Sequence, residues 1–336
     1  MSRLETVTLA QLEIDAEQTA AEIQTWLREV VHGSLRRKGA VVGVSGGIDS
    51  AVVAALCARA FGPDRVCGLL MPEADSAPET LALSRLAAGS QGIEPVVEDV
   101  TDLLTAAGCY RRRDEAVRTA VPEYGPGWKM KIVLPELLGS ERLRVFSLVA
   151  EGPAGERVAK RLSAEAYLAI LAATNFKQRT RKMLEYYYAD RLVYAVAGTP
   201  NRLEYDQGFY VKNGDGAADV KPIAHLYKTQ VYRLAEYLDV PEPIRARLPT
   251  TDTYSLPQSQ EEFYFSVSHE QLDLCLYAHN ERAPAAAVAE AAGLDAEDVE
   301  RVYRDIERKQ QAAHYLNLEP QLVVPLGGAH RPPAPR

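Results

Sequence analysis

Short apolar runs along the chain alternate with stretches in which apolar residues recur at helical spacing. The runs 40–44, 66–71 and 95–97 are typical of buried strands, and the patterns across 51–56 and 78–91 predict a helix after each of the first two. Strands that alternate with helices form parallel sheets. We therefore predict an α/β fold, a doubly wound parallel sheet with helices on both faces.

Two flanking segments extend this pattern. Apolar residues between 13 and 35 recur at helical spacing, which predicts a helix packed beside the first strand. A later apolar run, 192–197, predicts another strand, which ends at Gly198 and Thr199. Such sheets bind ligands at the carboxyl ends of their strands, so we expect the loops after 40–44 and 192–197 to meet at one site.

Residues 105–165 do not follow the alternation, because prolines and glycines interrupt it several times. The run 144–149 is typical of an isolated short strand, and we interpret the whole stretch as an insertion with its own hairpin. The tail over 319–336 is rich in proline and has no helical pattern, so we expect it to be extended or partly disordered. The remainder of 1–318 is predicted to form a single domain around that insertion.

Composition and charge narrow the function classes. The chain of 336 residues is 47% hydrophobic, which is enough for a substantial core, and its net charge of −8 argues against a broad nucleic-acid surface. The arginines at 111–113 are interpreted as part of a solvated helix face. The N-terminus is acidic and amphipathic, and no run of about 18 apolar residues could span a bilayer, so we expect neither export nor membrane insertion.

The cysteines give no sign of a metal site or a disulfide framework. The four residues, Cys57, Cys67, Cys109 and Cys275, lie far apart and form no Cys-x-x-Cys pair. This usage fits a reducing environment, so we expect a cytoplasmic location.

The most specific chemical signal is the sequence Ser-Gly-Gly-Ile-Asp-Ser at 45–50, between the first strand and the following helix. Backbone N–H groups in a glycine turn at a helix N-terminus bind phosphate, aided by the positive end of the helix dipole. Asp49 would repel phosphate unless a divalent cation lay between them. The loop matches neither the Gly-x-Gly-x-x-Gly dinucleotide fingerprint nor the Walker loop, which ends in Gly-Lys-Ser/Thr. It therefore predicts a site for a metal-bound pyrophosphate.

This loop resembles the signature of the ATP-pyrophosphatase (PP-loop) superfamily, whose members cleave ATP between its α and β phosphates to adenylate a substrate. Six segments, in matching order and spacing, resemble a narrower family, the ammonia-dependent NAD synthetases. These segments are 42–50, 175–181, 198–204, 211–219, 226–231 and 249–250. The resemblance implies an adenine nucleotide α-hydrolase-like fold.

In that family, the residues that match Asp49 and Glu204 hold magnesium. Two carboxylates suit Mg²⁺, which also takes phosphate oxygens and water. Lys228 precedes a helical pattern, so its charge would add to an anion site at a helix start, and Asp49 and Lys228 are the implied catalytic pair. The implied ATP-binding residues are Gly43, Ser45, Gly46, Gly47, Asp49, Ser50, Thr199, Lys228 and Thr250.

The resemblance also implies how a second substrate, nicotinate adenine dinucleotide (deamido-NAD), is bound. The matching positions are Asn175, Arg179, Lys212 and Asp219. An exposed helical arginine is the competing interpretation of Arg179. The family usually carries a His-Lys pair near its C-terminus, whereas this chain has Gln and Ala at 311–312 and a histidine, His314, that is out of register. ATP use is therefore better supported than the identity of the carboxylate.

The implied reaction begins when a substrate carboxylate attacks the α phosphorus of ATP. Pyrophosphate leaves, and ammonia then opens the acyl adenylate to give an amide. The chain has no evident glutaminase module, so the ammonia is free or comes from a separate partner, and the resemblance also implies a homodimer.

Two alternatives to this reaction remain open. One is a related amide ligase that adenylates a different carboxylic acid in specialised metabolism, which the missing His-Lys pair motivates. The other is a non-catalytic nucleotide-binding module on the same fold.

Overall fold

The computed structural model describes residues 4–134, 137, 146–250, 253–265 and 267–324. Its strands are β1 (Ala40–Gly43), β2 (Val66–Leu70), β3 (Pro95–Val97), β4 (Lys129–Val133), β5 (Ser147–Glu151), β6 (Arg157–Arg161) and β7 (Ala195–Ala197). The main sheet is parallel, with the strand order β3-β2-β1-β7. A second, antiparallel sheet has the order β4-β5-β6.

Helices cover both faces of the main sheet. They are α1 (Ala16–Arg28), α2 (Ile48–Phe61), α3 (Thr80–Ser90), α4 (Thr101–Ala106), α5 (Cys109–Arg118), α6 (Ala164–Leu192), α7 (Arg202–Gln207), α8 (Lys228–Tyr237), α9 (Glu242–Arg245), α10 (His269–Asn280), α11 (Ala289–Ala292) and α12 (Ala296–Asn317). The predicted doubly wound α/β fold is confirmed. Within the described residues, no helix combines the length and apolar character needed to cross a bilayer.

The central strand β1 shows why the apolar runs are continuous. Ala40 and Val42 join a buried cluster with α1, α2 and α8, whereas Val41 joins another with residues of α4, α5 and α6. Successive side chains on a strand point to opposite faces, so a strand covered on both sides needs apolar residues at every position.

Two predicted boundaries change in the structure. The helix expected over 13–35 is α1 followed by a π-helical stretch, Glu29–Ser34. The strand expected over 192–197 begins only at Ala195, because Leu192 ends α6 and Val193 adopts a left-handed φ of 59° that reverses the chain. Apolar residues at the end of a buried helix and at the start of a buried strand look alike in sequence.

The strand predicted at 144–149 is not isolated. Residues 147–149 lie in β5, the central strand of the second sheet, which pairs with β4 and β6. Phe146 precedes that strand, and residues 144 and 145 lie outside the described residues. The sequence of β4, Lys-Met-Lys-Ile-Val, alternates polar and apolar positions, which is the pattern of a half-buried strand. The predicted hairpin is therefore part of a three-stranded sheet.

The interpretation of 111–113 as a solvated arginine cluster is wrong for one member. Arg111 and Arg112 are exposed, but Arg113 is buried and pairs with Asp75 and Asp114. Local sequence did not reveal this, because Asp75 lies in a distant segment of the chain.

The C-terminal part adds helices beside the main sheet. Apolar side chains of α10, α11 and α12 form their own buried cluster, which also takes in Leu203 of α7 and Tyr227. After α12, residues 319–324 have no helix or strand, and residues 325–336 of the predicted tail lie outside the described residues.

Candidate active site

A cleft opens at the carboxyl ends of β1 and β7, where the sequence predicted that two loops would meet. Its volume is about 220 Å³. The predicted site residues that line it are Gly43, Ser45, Gly47, Asp49, Ser50, Thr199, Glu204, Lys228 and Thr250. The structure therefore brings together, from distant parts of the chain, residues expected to bind ATP and magnesium.

The phosphate loop between β1 and α2 is held by its two serines. Ser50 Oγ accepts a hydrogen bond from the Ser45 N–H at 3.1 Å and donates one to the Gly47 carbonyl oxygen at 2.9 Å. Ser45 Oγ accepts from the Gly47 N–H at 3.3 Å. Helix α2 begins at Ile48, so the positive end of its dipole lies at the loop. The serines thus fix the shape of the loop as well as supplying hydroxyl groups.

Gly46 is required by this loop. Its φ of 76° lies in the left-handed region that favours glycine. An added Cβ would lie 2.9 Å from Leu83 Cβ and 3.0 Å from the Thr80 carbonyl oxygen. We predict that Gly46→Ala lowers the free energy of unfolding by about 2 kcal/mol or more, because backbone strain and a clash with α3 add together. Urea denaturation measures this loss.

Gly47→Ala is the matched control. Gly47 has a φ of −89°, and its added Cβ would meet only Ser45 Oγ, at 3.4 Å. Its unfolding free energy should stay within about 1 kcal/mol of the unsubstituted protein. Equal losses for the two alanine variants would contradict this account of Gly46.

Asp49 and Lys228 form an ion pair in the wall of the cleft. Lys228 Nζ donates to Asp49 Oδ2, and the lysine side chain is only 2% exposed. Asn201 Nδ2 donates to the other oxygen, Asp49 Oδ1, at 3.0 Å. Lys228 is the first residue of α8, as its sequence context predicted. Its charge and the positive end of the helix dipole therefore lie together.

Lys228 remains a cation despite its burial. Burial lowers its pKa, but the charges of Asp49 and Glu204 raise it, and the net shift is upward. The site thus holds a permanent positive charge beside the phosphate loop.

Asp273 holds the start of α8, and sequence reasoning missed it. Its Oδ1 accepts from the Lys228 N–H at 3.1 Å and its Oδ2 accepts from the Thr229 N–H at 2.7 Å. The side chain is fully buried, and burial raises the pKa of Asp273 to about 7. The first N–H groups of a helix lack partners within the helix, so this carboxylate fixes the backbone that carries Lys228.

Glu204 reaches the cleft through the start of α7. The Asn201 N–H donates to Glu204 Oε2 at 3.1 Å, and Asn201 Oδ1 accepts from the Glu204 N–H at 3.2 Å, which together form a capping box. Gln260 Nε2 donates to Glu204 Oε1 at 3.1 Å. Burial, and then the charge of Asp49, raises the pKa of Glu204 to about 8. The carboxylates of Asp49 and Glu204, which both accept hydrogen bonds from Asn201, therefore repel each other.

This donor set fits a magnesium ion. Asp49 and Glu204 offer anionic oxygens from separate loops, and Mg²⁺ is commonly bound by one or two carboxylates together with phosphate oxygens and water. A divalent cation would relieve the repulsion between the two carboxylates. Among the described residues, no three or more His, Cys, Asp or Glu side chains surround one metal position. The remaining ligands would therefore come from nucleotide and water.

A second charged cluster in the cleft was also missed. Glu185 and Asp215 line the cleft, and Lys182 Nζ donates to Glu185 Oε2 at 2.5 Å. Burial raises the pKa of both acids. A Cβ at Gly43 would lie 3.0 Å from Glu185 Oε1, a tight contact. The spacing of Lys182 and Glu185 suits a helical ion pair, but spacing alone does not distinguish a buried pair from an exposed one.

The residues expected to bind deamido-NAD, namely Asn175, Arg179, Lys212 and Asp219, are not among the described residues that line this cleft. Arg179 Nε donates to the Lys212 carbonyl oxygen at 3.2 Å, so these two are in contact. Lys212 Nζ donates to the Tyr315 carbonyl oxygen at 2.8 Å, near the C-terminal end of α12. Asp219 Oδ2 accepts from the Val196 N–H at 2.8 Å, which ties Asp219 to β7.

The fold and the cleft define a class: α/β nucleotide-binding proteins whose phosphate loop lies between a parallel strand and the N-terminus of a helix. A family model described as NAD synthase matches residues 19–120 and 154–315. The chain belongs to this family.

Curated relatives agree with the family. The NH(3)-dependent NAD(+) synthetase of Mesorhizobium japonicum is 57% identical over 316 residues, which cover 94% of this chain and 99% of the relative. The protein of the same name from Rhizobium meliloti is 56% identical over 315 residues, with 94% of each chain covered. That from Thermotoga maritima is 37% identical over 240 residues, which cover 71% of this chain and 79% of the relative.

Solved structures share the fold. An NH3-dependent NAD synthetase from Campylobacter jejuni has a TM-score of 0.61 at 22% identity, with 93% of this chain and all of that chain covered. An NMN synthetase from Francisella tularensis has a TM-score of 0.62 at 20% identity, with 94% of this chain and all of that chain covered. At such identities the likeness extends to the fold alone.

Proposed function

We propose that this protein acts as an ammonia-dependent NAD synthetase. It is a ligase that amidates deamido-NAD to NAD through an acyl adenylate and releases AMP and pyrophosphate. The observation that carries the proposal is the ion pair between Asp49 and the buried Lys228, with Glu204 beside it, at the phosphate loop. The names of relatives that are 57% and 56% identical over nearly the whole chain support it.

The residues of the cleft bind ATP and stabilise the charge that develops during the reaction. The N–H groups of the phosphate loop and the Lys228 ammonium bind the phosphates of ATP and stabilise the charge that develops on the departing pyrophosphate. Asp49 and Asp273 hold Lys228 in place before ATP arrives, so little reorganisation is needed during the reaction. No protein nucleophile is required, because the substrate carboxylate itself attacks the α phosphorus.

Asp49 and Glu204 are the residues that would hold Mg²⁺. When bound, the ion supplies Lewis-acid stabilisation of phosphate charge. The chain's own contribution is to keep both carboxylates near the phosphate loop, through the shared contacts of Asn201.

Ammonia is the proposed nitrogen donor. All four cysteines are buried and unpaired. Burial raises the pKa of Cys57 and Cys275 to about 12 and that of Cys67 to about 11, and it also raises the pKa of Cys109. Protonated, buried thiols are poor nucleophiles for releasing ammonia from glutamine. The ammonia is therefore free or delivered by a separate protein.

The protein is proposed to form a homodimer, in which a second copy of the chain completes the site for deamido-NAD. Arg179 and Asp219 are exposed and are not among the described residues that line the cleft, so a second copy of the chain could cover them. Sedimentation velocity tests this directly. A protein that stays monomeric with ATP and deamido-NAD present would contradict it.

The proposed function is tested by incubating the purified protein with Mg-ATP, ammonium and deamido-NAD while NAD, AMP and pyrophosphate are measured. All three products should form together, and omission of any one component should prevent NAD formation. Pyrophosphate release with a different carboxylate, such as nicotinate mononucleotide, and no NAD would favour the related amide ligase. Nucleotide binding without pyrophosphate release for any carboxylate would favour the non-catalytic module.

A further inference from the structure

The second sheet has no role in the function described above. The family model leaves residues 121–153 unmatched, and these include all of β4 and β5. The sheet shares a buried apolar cluster with α5 and α6, and Tyr254 and Phe263 join that cluster from a later part of the chain. The sheet is therefore packed against a segment that follows Thr250.

The outer edge of β4 is occupied by this segment, residues 253–262. The Leu256 N–H donates to the Met130 carbonyl oxygen at 3.1 Å, and the Met130 N–H donates to Ser255 Oγ at 2.9 Å. Gln258 Nε2 donates to the Ile132 carbonyl oxygen. An edge strand leaves backbone groups unpaired, so these bonds both cover the edge and fix the segment.

Lys131 on β4 makes the most polar of these contacts. Its ammonium donates to both carboxylate oxygens of Glu262, at 2.6 and 2.8 Å, and to the Pro257 carbonyl oxygen at 3.2 Å. The Lys131 side chain is only 12% exposed. Such charge-assisted hydrogen bonds are stronger than neutral ones.

The other end of the segment is fixed from α6. Lys177 Nζ donates to the Thr253 carbonyl oxygen at 2.8 Å. The same ammonium pairs with Glu73 at 2.9 Å and with Asp75 at 2.7 Å, and its side chain is 1% exposed. The segment is therefore held at both ends by buried or nearly buried lysines.

The same segment reaches the cleft. Ser259 forms a bridge with Thr250, and the Gln260 N–H donates to the Pro249 carbonyl oxygen at 3.0 Å. Gln260 Nε2 donates to Glu204 Oε1, and both Thr250 and Gln260 line the cleft. A continuous set of contacts thus connects β4 with the carboxylate expected to bind magnesium.

We propose that the inserted sheet β4–β6 is a brace that holds the 253–262 segment in place, so that Gln260 positions Glu204 and Thr250 lies ready for ATP. Lys131 and Gln260 are positioning residues in this scheme, because each acts through another residue. The inference rests on the proposed function only for the identity of the nucleotide substrate. The proposed brace concerns only how firmly residues 253–262 are held in place.

The test replaces Lys131 by methionine, which keeps an apolar stem of similar size and removes the ammonium. Amide hydrogen exchange within 253–262 should become faster than in the unsubstituted protein. The dissociation constant for Mg-ATP and the KM for ATP should rise about 10-fold, since the lost contacts are charge-assisted hydrogen bonds. The kcat should change by no more than about two-fold, because no group that contacts substrate is removed.

Two further variants separate positioning from folding. Lys131→Arg keeps the charge and should restore slow exchange and tight Mg-ATP binding. Lys160→Met removes an exposed lysine from β6 of the same sheet and should leave exchange, binding and kinetics unchanged. If Lys131→Met lowers the yield of folded protein, Glu262→Gln removes the partner charge instead, with the same expected results.

The brace is overturned if exchange within 253–262 stays as slow in Lys131→Met as in the unsubstituted protein. It is also overturned if exchange becomes faster while Mg-ATP binding is unchanged, because the segment would then have no effect on the cleft. Absence of NAD formation by the unsubstituted protein would count against the proposed function instead. Hydrogen exchange and equilibrium binding do not depend on turnover, so the two failures are distinguishable.

Discussion

Replacing Lys228 by methionine should lower kcat about 10³-fold while the fold is retained, because a fixed positive charge in a buried position stabilises developing phosphate charge far more than water does. The Lys228 side chain is 2% exposed, and its ammonium is held by Asp49. Methionine has similar length and keeps the apolar stem in place. Pyrophosphate release under saturating ATP measures the effect.

The same substitution should destabilise the protein without Mg-ATP. It removes the cation that pairs with Asp49 and lies near Glu204, and removal of one partner from a largely buried ion pair costs up to about 3–5 kcal/mol. Because Lys228 also binds the phosphates of ATP, Mg-ATP should raise the melting temperature of Lys228→Met less than that of the unsubstituted protein. This second measurement separates loss of a charge from loss of structure.

Arg233→Met is the matched control for Lys228. Arg233 lies on the same helix, but its side chain is 67% exposed and pairs loosely with Glu236 at 3.7 Å. Removal of this exposed cation should leave kcat unchanged. A Lys228→Met protein whose kcat stays within about tenfold of the unsubstituted value would contradict the role given to Lys228.

The parts of the site that the sequence could predict are those encoded locally. Gly46 and Gly47 lie between an apolar run and a helical pattern, and that order alone requires a turn whose N–H groups face outward. Lys228 precedes a helical pattern in the same way, and it is the first residue of α8. An anion-binding site at a helix start depends on a few consecutive residues, so it can be predicted from the sequence without knowledge of the fold.

The residues that orient the site were not predictable in this way. Asp273 lies 45 positions from Lys228, Gln260 lies 56 positions from Glu204, and Asn201 lies 152 positions from Asp49. Each belongs to a residue type that is common on surfaces, and each acquires its role only when the chain folds. Sequence spacing carries no information about such contacts.

The second sheet shows a different limit of prediction from sequence, which is the pairing of strands. The strand around Ser147–Glu151 was predicted, but its pairing with Lys129–Val133 was not, although the alternation of the latter is readable in sequence. Antiparallel pairing depends on which segments meet, and the intervening residues include some that lie outside the described part of the chain. The contacts of that sheet with the 253–262 segment are even more distant in sequence.

Glu204→Gln should lower activity without lowering the stability of the free protein. The amide can still accept a hydrogen bond from the Asn201 N–H, but it removes one of the two carboxylates that would hold Mg²⁺. We expect Mg²⁺ binding to weaken and kcat to fall about 100-fold or more, since a catalytic metal supplies several kcal/mol of charge stabilisation. Calorimetric titration of Mg²⁺ with a non-hydrolysable ATP analogue and steady-state kinetics measure the two effects.

Asp206→Asn is the control on the same short helix. Asp206 accepts from Arg202 Nε and Asn280 Nδ2, both at 3.3 Å, rather than facing Asp49. Its replacement should leave Mg²⁺ binding unchanged. Equal loss of Mg²⁺ affinity in both variants would mean that the helix as a whole, and not the Glu204 carboxylate, determines the effect.

The free protein should respond to Glu204→Gln in the opposite direction, with a gain in stability that depends on pH. Folding raises the pKa of Glu204 from its ordinary value of 4.5 to about 8. Between these values the unfolded chain has lost a proton that the folded protein retains, so the free energy of unfolding falls as pH rises from 4.5 towards 8. Glutamine carries no such proton, so the advantage of the variant should grow over that interval and then level off. Urea unfolding without Mg²⁺ or ATP measures it, and an advantage that shrinks with rising pH would contradict the burial and repulsion assigned to this carboxylate.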